Sequence, residues 1–264
     1  MAVPGAISCD VVKDAGKNLN RDRGDVRVHT DEQAQSRPIR PAATLIALRD
    51  HSDEMEVLVV RRSKSMRTFP GHVAFPGGGV EPADQACIGL CTIGWPRAAI
   101  RADDDVFAVA ALRETAEEIG WLGAVAHPEG YAPDTAAAVQ EIQSALLQEE
   151  RTLAESLVQR NLQLNLCDVR FVGRWLTPPE VRLPVRFDTR FFVTRGTMEC
   201  RTFHVHQGEL EWAGWRRPRD VLNDIRVGRE QAALPTQTML EALAEAPSVD
   251  WCLEHLNVPQ VPLT

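Results

Sequence analysis

The chain has 264 residues, 25% charged and 44% hydrophobic, with a formal net charge of −8. That length can bury a sizeable core as one elaborated domain, and the composition is that of an ordinary globular protein. The acidic balance argues against binding nucleic acid by bulk attraction to phosphate, and no stretch reaches the ~20 apolar residues that a membrane span needs.

Six cysteines, Cys9, Cys87, Cys91, Cys167, Cys200 and Cys252, are scattered, and Cys87 and Cys91 lack the Cys-x-x-Cys spacing of a zinc or redox site. They read as free thiols, and with no hydrophobic signal region the expected location is the cytoplasm. Residues 1–37 are polar and aperiodic, a flexible leader by expectation. The apolar run 42–48 suits a buried strand, 50–54 a turn and 56–61 a second strand, a hairpin entering a mixed sheet. Residues 69–79 are rich in turn formers and read as a loop, and 83–102 show no period.

Over 106–119 the spacing predicts an amphipathic helix. Asp103, Asp104 and Asp105 suit its N-cap and dipole, and Gly120 its stop. One long helical pattern covers 135–162. Strands are expected at 169–175, 186–194 and 210–215, and helices at 218–224, 236–246 and 249–256. Strands and helices interleave, an α/β pattern with a mixed sheet between helical layers.

Glu114, Glu117 and Glu118 stand three and four residues apart and share one face of the helix, where like charges repel. Arg113 supplies one positive charge against three. A hard divalent cation, which prefers oxygen ligands, would relieve the repulsion, but a solvated acidic face accounts for the same spacing. Two histidines, His204 and His206, alternate as on one strand face, and with no third ligand in sight zinc is not expected.

The segment Arg113-Glu114-Thr115-Ala116-Glu117-Glu118-Ile119-Gly120-Trp121 resembles the Nudix box, whose pattern is Gly, five residues, Glu, seven residues, then Arg-Glu-U-x-Glu-Glu-x-Gly-U with U bulky and apolar. Gly78 is followed by five residues and Asp84, while Asp105 is followed by seven residues and Arg113. The box therefore looks split by an insert of 21 residues, with an aspartate at each edge of the break, and Thr115 departs from the first U position.

The resemblance implies an α/β/α sandwich in which Glu114, Glu117 and Glu118 hold magnesium or manganese ions that bridge a diphosphate. It implies that Gly77 and Gly78 form a tight loop near the metal. Arg113 would support the box through an internal ion pair, with Asp84 or Asp105 as the first acidic residue. The implied chemistry is attack of water on phosphorus, catalysed through Glu114 and Glu117. Glu209, six residues before Trp215, stands where such proteins carry a further Glu, as ligand or base.

A second pattern, Arg62-Ser63, three residues, Arg67, three residues, Gly71, three residues, Phe75-Pro76-Gly77-Gly78, resembles the signature that precedes the box in coenzyme A diphosphatases. Arg61, Arg62, Lys64 and Arg67 make a basic cluster in an acidic chain, suited to extra phosphates. Arg62, Arg67, Gly71, Gly77 and Gly78 are the expected substrate contacts. The stretches 175–178 and 186–192, and the insert itself, look like those of Nudix 19-type acyl-CoA diphosphatases, so that the likeness covers about 40–245. Arg186 and Asp188 read as a structural pair.

The expected domain is 38–264, with an insert at about 85–104 and extra helices at about 135–162 and 236–256. The expected activity is hydrolysis of coenzyme A or acyl-CoA. The alternatives are a broad nucleoside-diphosphate-X hydrolase acting on ADP-ribose or NADH, and a non-catalytic nucleotide sensor. The expected partner is a small-molecule diphosphate, without nucleic acid or membrane, and a homodimer is left open.

Overall fold

A central strand with both faces buried organises the molecule. The computed structural model describes residues 37–127, 135–196 and 203–258. Apart from Arg37, the leader expected over 1–37 lies outside these residues, as do Cys9 and Cys200.

In chain order the strands are β1 (Ile39–His51), β2 (Glu54–Arg62), β3 (Val73–Ala74), β4 (Gly77–Gly79), β5 (Thr92–Ile93), β6 (Val125–Ala126), β7 (Gln163–Asn165), β8 (Val169–Leu176), β9 (Arg186–Arg195) and β10 (Leu210–Arg216). The helices are α1 (Pro82–Gln85), α2 (Asp104–Ile119), α3 (Thr135–Leu147), α4 (Leu153–Gln159), α5 (Pro218–Arg226), α6 (Leu234–Glu245) and α7 (Val249–His255).

The main sheet runs β10-β2-β1-β9-β8. It is mixed, because β1 is parallel to β9 and antiparallel to β2. Ser52 and Asp53 turn the β1–β2 hairpin at positive φ, a conformation that short polar side chains tolerate. Along β1, Ala43, Leu45 and Ala47 face one core while Ile46 and Leu48 face another. A strand buried on both sides reads as a continuous apolar run rather than an alternation. The first core is closed by α2, α3 and α4, the second by α5, α6 and α7, giving an α/β/α sandwich. Each fully buried Leu or Ile there contributes about 1.5–3 kcal/mol. No described helix is long and apolar enough to cross a membrane.

Three expectations need correction. Residues 69–79 hold two short strands: β3 pairs with β2, and β4 pairs with β1 through Ala43–Gly78 and Thr44–Gly77. Glycine and proline hide the strand signal because the order comes from backbone hydrogen bonds to the neighbour, not from side chains. The helical pattern 135–162 is two helices. A capping box restarts the chain at α4, with Thr152 accepting from Glu155 N and Glu155 accepting from Thr152 N.

Of the three aspartates, Asp103 stands at the N-cap position of α2 but makes no side-chain cap, and Asp104 and Asp105 lie in its first turn. Instead Asp103 and Asp104 take the Arg190 guanidinium of β9 at 2.9 and 2.6 Å, and that guanidinium lies 3.5 Å over the Phe107 ring. The insert is tied to the rest of the chain by backbone as well, through a separate three-stranded sheet in the order β5-β7-β6 and a bridge to β8. Thr92 and Ile93 run parallel to Leu164 and Asn165, and Arg97 bridges Arg170.

Candidate active site

Helix α2 carries the three glutamates, and Ala108, Ala110 and Ala111 let it lie close on β1 and β4. Gly78 of β4 faces Glu114. A Cβ there would come within 2.5 Å of the Glu114 carboxylate, so the carboxylate keeps this place only against a bare backbone. Gly77 donates its N–H to Glu118 at 3.1 Å. Glu117 is turned to Arg113, whose Nη1 donates at 2.8 Å.

Arg113, 3% exposed, is the hub. Its Nε donates to Asp84 at 2.7 Å and its Nη2 to the Gly79 carbonyl at 2.7 Å, with Glu114 at 3.2 Å. Asp84 also accepts from the Glu81 N–H at 2.7 Å. Asp105 stays at the far end of α2, where it accepts from Val106 N, and burial raises its pKa. The structure thus brings Asp84, not Asp105, to Arg113.

Burial pushes the Glu118 carboxyl up to about 8. The Glu114 charge adds to the rise and Glu209 adds a little, while the Gly77 N–H and Arg62 oppose it. Burial likewise pushes Glu114 up to about 7 against the pull of Arg113, and raises Glu117. Burial thus raises all three carboxyls, and the Arg113 guanidinium only partly offsets it at Glu114 and Glu117.

Glu209, just before β10, is half exposed beside Glu118, with one carboxylate oxygen 3.8 Å from His206 Nδ1. The basic cluster is partly dispersed. Arg62 reaches Glu118 electrostatically and donates from Nε to the Thr68 carbonyl at 3.1 Å, and Arg67 is exposed. Arg61 is taken up instead by the buried Glu230, since adjacent strand residues point to opposite faces. Gly71 sits at φ +70, where a turn leads into β3. The pair expected between Arg186 and Asp188 is not made. Asp188 binds Arg174 of β8, and Arg186 donates to the Thr177 carbonyl. Trp175 is buried in the second core, and a guanidinium, that of Arg49, lies 4.6 Å over Trp215.

The NUDIX domain family model matches residues 38–195, more than half of the chain. The chain belongs to the Nudix family. It is similar to a NUDIX hydrolase from Alicyclobacillus acidocaldarius, whose crystal structure covers 85% of this chain and 100% of its own, at 41% identity and a TM-score of 0.72. A probable nudix hydrolase of Schizosaccharomyces pombe is 34% identical over 87 residues, 33% of this chain, and the match spans only 24% of that relative's length.

Nudix hydrolases generally use divalent cations, and the donors here fit one. Glu114, partly buried, and Glu118, buried, are oxygen donors whose carboxyls burial raises, the Glu114 charge raising Glu118 further, and Arg113 is shared among Asp84, the Gly79 carbonyl, Glu117 and Glu114. Among the described residues no three acidic, histidine or cysteine side chains converge as a ready-made cage, because Glu117 is held by Arg113. A cavity of about 570 Å³ opens elsewhere, between α3 and α4, and none of the Nudix box residues lines it.

Donors whose part here sequence reasoning missed, Gly120 apart, close the end of α2. Helix ends leave four carbonyls without intrahelical partners. Gly120 N donates to Ala116 O at 3.0 Å, Gln143 Nε2 to Glu117 O at 3.0 Å, His206 N to Glu118 O at 2.8 Å and His204 N to Ile119 O at 3.0 Å. Only Gly120 announces itself in the sequence. The other partners lie on distant segments with no motif of their own.

Proposed function

We propose that this Nudix protein hydrolyses the diphosphate linkage of coenzyme A or an acyl-CoA, giving 3′,5′-ADP and (acyl-)phosphopantetheine, with magnesium or manganese. The observation that carries the reading is the carboxylate pair of partly buried Glu114 and buried Glu118, set against Gly77 and Gly78 with Arg62 close enough to act on Glu118. Glu114, Glu117 and Glu118 are the residues to hold the cation, which when bound lowers the pKa of water and stabilises charge on the leaving group.

Gly77 and Gly78 let the diphosphate approach the backbone. Arg62 and Arg67, at the end of β2 and in the loop that follows, bind phosphate oxygens in the bidentate way open to guanidinium, and Gly71 shapes that loop. Arg113 and Asp84 keep α2 and β4 in register. Glu209 takes the proton of the attacking water at its carboxylate. The coenzyme A branch is supported by the spacing of Arg62, Arg67, Gly71 and Phe75-Pro76-Gly77-Gly78.

Product analysis of the purified protein with coenzyme A, acyl-CoA, ADP-ribose and NADH tests this. The expected products are 3′,5′-ADP and the pantetheine phosphate. Turnover of ADP-ribose and NADH with coenzyme A untouched overturns the branch and leaves a broad nucleoside-diphosphate-X hydrolase. Absence of any metal-dependent turnover overturns the catalytic reading in favour of a nucleotide sensor.

A further inference from the structure

The four terminal carbonyls of α2 are all satisfied, and three of the four donors come from outside the helix. Two of these are the backbone N–H groups of His204 and His206, so the segment 203–206 lies along the end of the helix that carries Glu117 and Glu118. Three residues on, Glu209 N donates to the His206 carbonyl at 3.4 Å and Leu210 N to the same carbonyl at 3.2 Å. Two backbone steps, Glu118 to His206 and His206 to Glu209, therefore place the Glu209 backbone relative to Glu118, and its half-exposed side chain extends from there.

One side chain holds both partners of this junction. Gln143 of α3 is 7% exposed, and its Nε2 donates to Glu117 O at 3.0 Å and to His204 O at 2.6 Å. Its Oε1 lies 2.7 Å from where a Cβ on Gly120 would be, so the left-handed glycine that ends α2 also makes room for this amide. An amide NH2 has two hydrogens, and both are used on carbonyls that would otherwise lack a donor or a tether. Gln143 contacts none of the three glutamate side chains in the hydrogen bonds it makes; it acts on backbone.

We propose that Gln143 is a positioning residue: by joining Glu117 O to His204 O it holds the segment 203–209 on the end of α2 and so sets Glu209 against Glu118. The inference rests on the reading of Glu209 as the proton acceptor, and the experiment separates the two. Gln143→Ala, Gln143→Glu, Glu209→Gln and the double variant Gln143→Ala/Glu209→Gln are compared with wild type on whichever of coenzyme A, acyl-CoA, ADP-ribose and NADH turns over best.

Both Gln143 variants should lose at least tenfold in kcat with KM within about twofold, because Glu keeps the length but not the donor. Calorimetric affinity for Mn²⁺ should stay within about twofold. In the Glu209→Gln background, Gln143→Ala should cost less than twofold, since residues acting through one another are not additive. An equal loss in both backgrounds or a fall in Mn²⁺ affinity that tracks kcat overturns the proposal, whereas full activity of Glu209→Gln overturns the reading of Glu209 as the proton acceptor and leaves hydrogen exchange to decide whether Gln143 holds the segment.

Hydrogen exchange gives a readout that needs no turnover. Exchange at the amides of His204 and His206 should rise at least tenfold in Gln143→Ala while β1 stays protected, and unchanged exchange there also overturns it. A wild type that turns over none of the four substrates sinks the functional reading, and exchange still decides whether Gln143 holds the segment.

Discussion

Arg113 and Asp84 meet in an ion pair 2.7 Å long, with 3% of one residue and 1% of the other exposed, across the break that divides the Nudix box. The pair also aligns Arg113 with the Gly79 carbonyl, so it joins α2 to the glycine strand.

Removing one partner leaves a buried charge short of its counter-ion. Asp84→Asn should destabilise the protein by about 3 kcal/mol, read from the denaturant midpoint at unchanged slope. Asp105→Asn should change stability by less than about 1 kcal/mol, because burial already disfavours that charge and the amide oxygen still accepts from Val106 N. Equal costs at the two sites would refute the assignment of Asp84 to the box.

Glu118 is buried with too little positive charge, a cost to folding that function would justify. Glu118→Gln should lower hydrolysis about a thousandfold, equivalent to about 4 kcal/mol of transition-state stabilisation. The same variant, without metal, should melt no lower than wild type and somewhat higher at pH 8. Thermal melts in chelator beside steady-state rates check both halves.

The raised carboxyls make metal-free stability depend on pH with a definite sign. Burial pushes the Glu114 and Glu118 carboxyls up to about 7 and about 8 in the folded protein, against 4.5 for a free carboxyl. Between these values the folded state binds more protons than the unfolded state, so stability falls as pH rises. The contribution is full below about 4.5 and is lost as pH passes through about 7 to 8. A cation reverses the preference by favouring the ionised forms, so Mg²⁺ should raise the melting temperature more at pH 8 than at pH 6. Melting curves at both values, with Mg²⁺ and with chelator, measure the difference.

The neighbouring glycines should fail in different ways. At Gly77, φ +150, a Cβ would stand 2.3 Å from the Ala43 carbonyl, which is backbone within the central sheet. Gly77→Ala should therefore cost about 2 kcal/mol or more of stability. At Gly78 the obstacle is the end of the Glu114 side chain, which can move aside. Gly78→Ala should keep near-wild-type stability while losing at least tenfold in activity and in Mn²⁺ affinity, read by unfolding and calorimetry.

Much of the scaffold was legible because its signals are local. The run 42–48 and the later strands carry side chains that only a buried sheet accommodates, and Gly120 ends α2 as its left-handed φ requires. What escaped depends on partners far along the chain. Asp103 reads as a cap until Arg190, 87 residues away, claims its carboxylate. Arg61 reads as a free cation until Glu230 does the same, and β4 has no side chains with which to announce itself. Within the candidate site the glutamate spacing was plain, whereas the choice of Asp84 over Asp105 needed the third dimension.

The parallel register of β1 on β9 joins residue 39 to residue 186 and residue 48 to residue 195. During synthesis β1 and β2 emerge first and can zip as a hairpin, but the other edge of β1 then waits for most of the domain to be made. Contacts so distant in sequence form slowly, since the loop must close before they stabilise anything. Until then a row of unpaired backbone groups lies open to association with other chains, and Ile46 and Leu48 wait longer, for α5, α6 and α7. The bed on which α2 rests is thus among the last parts of the sheet to close, and nascent chains that end before residue 195 cannot complete it.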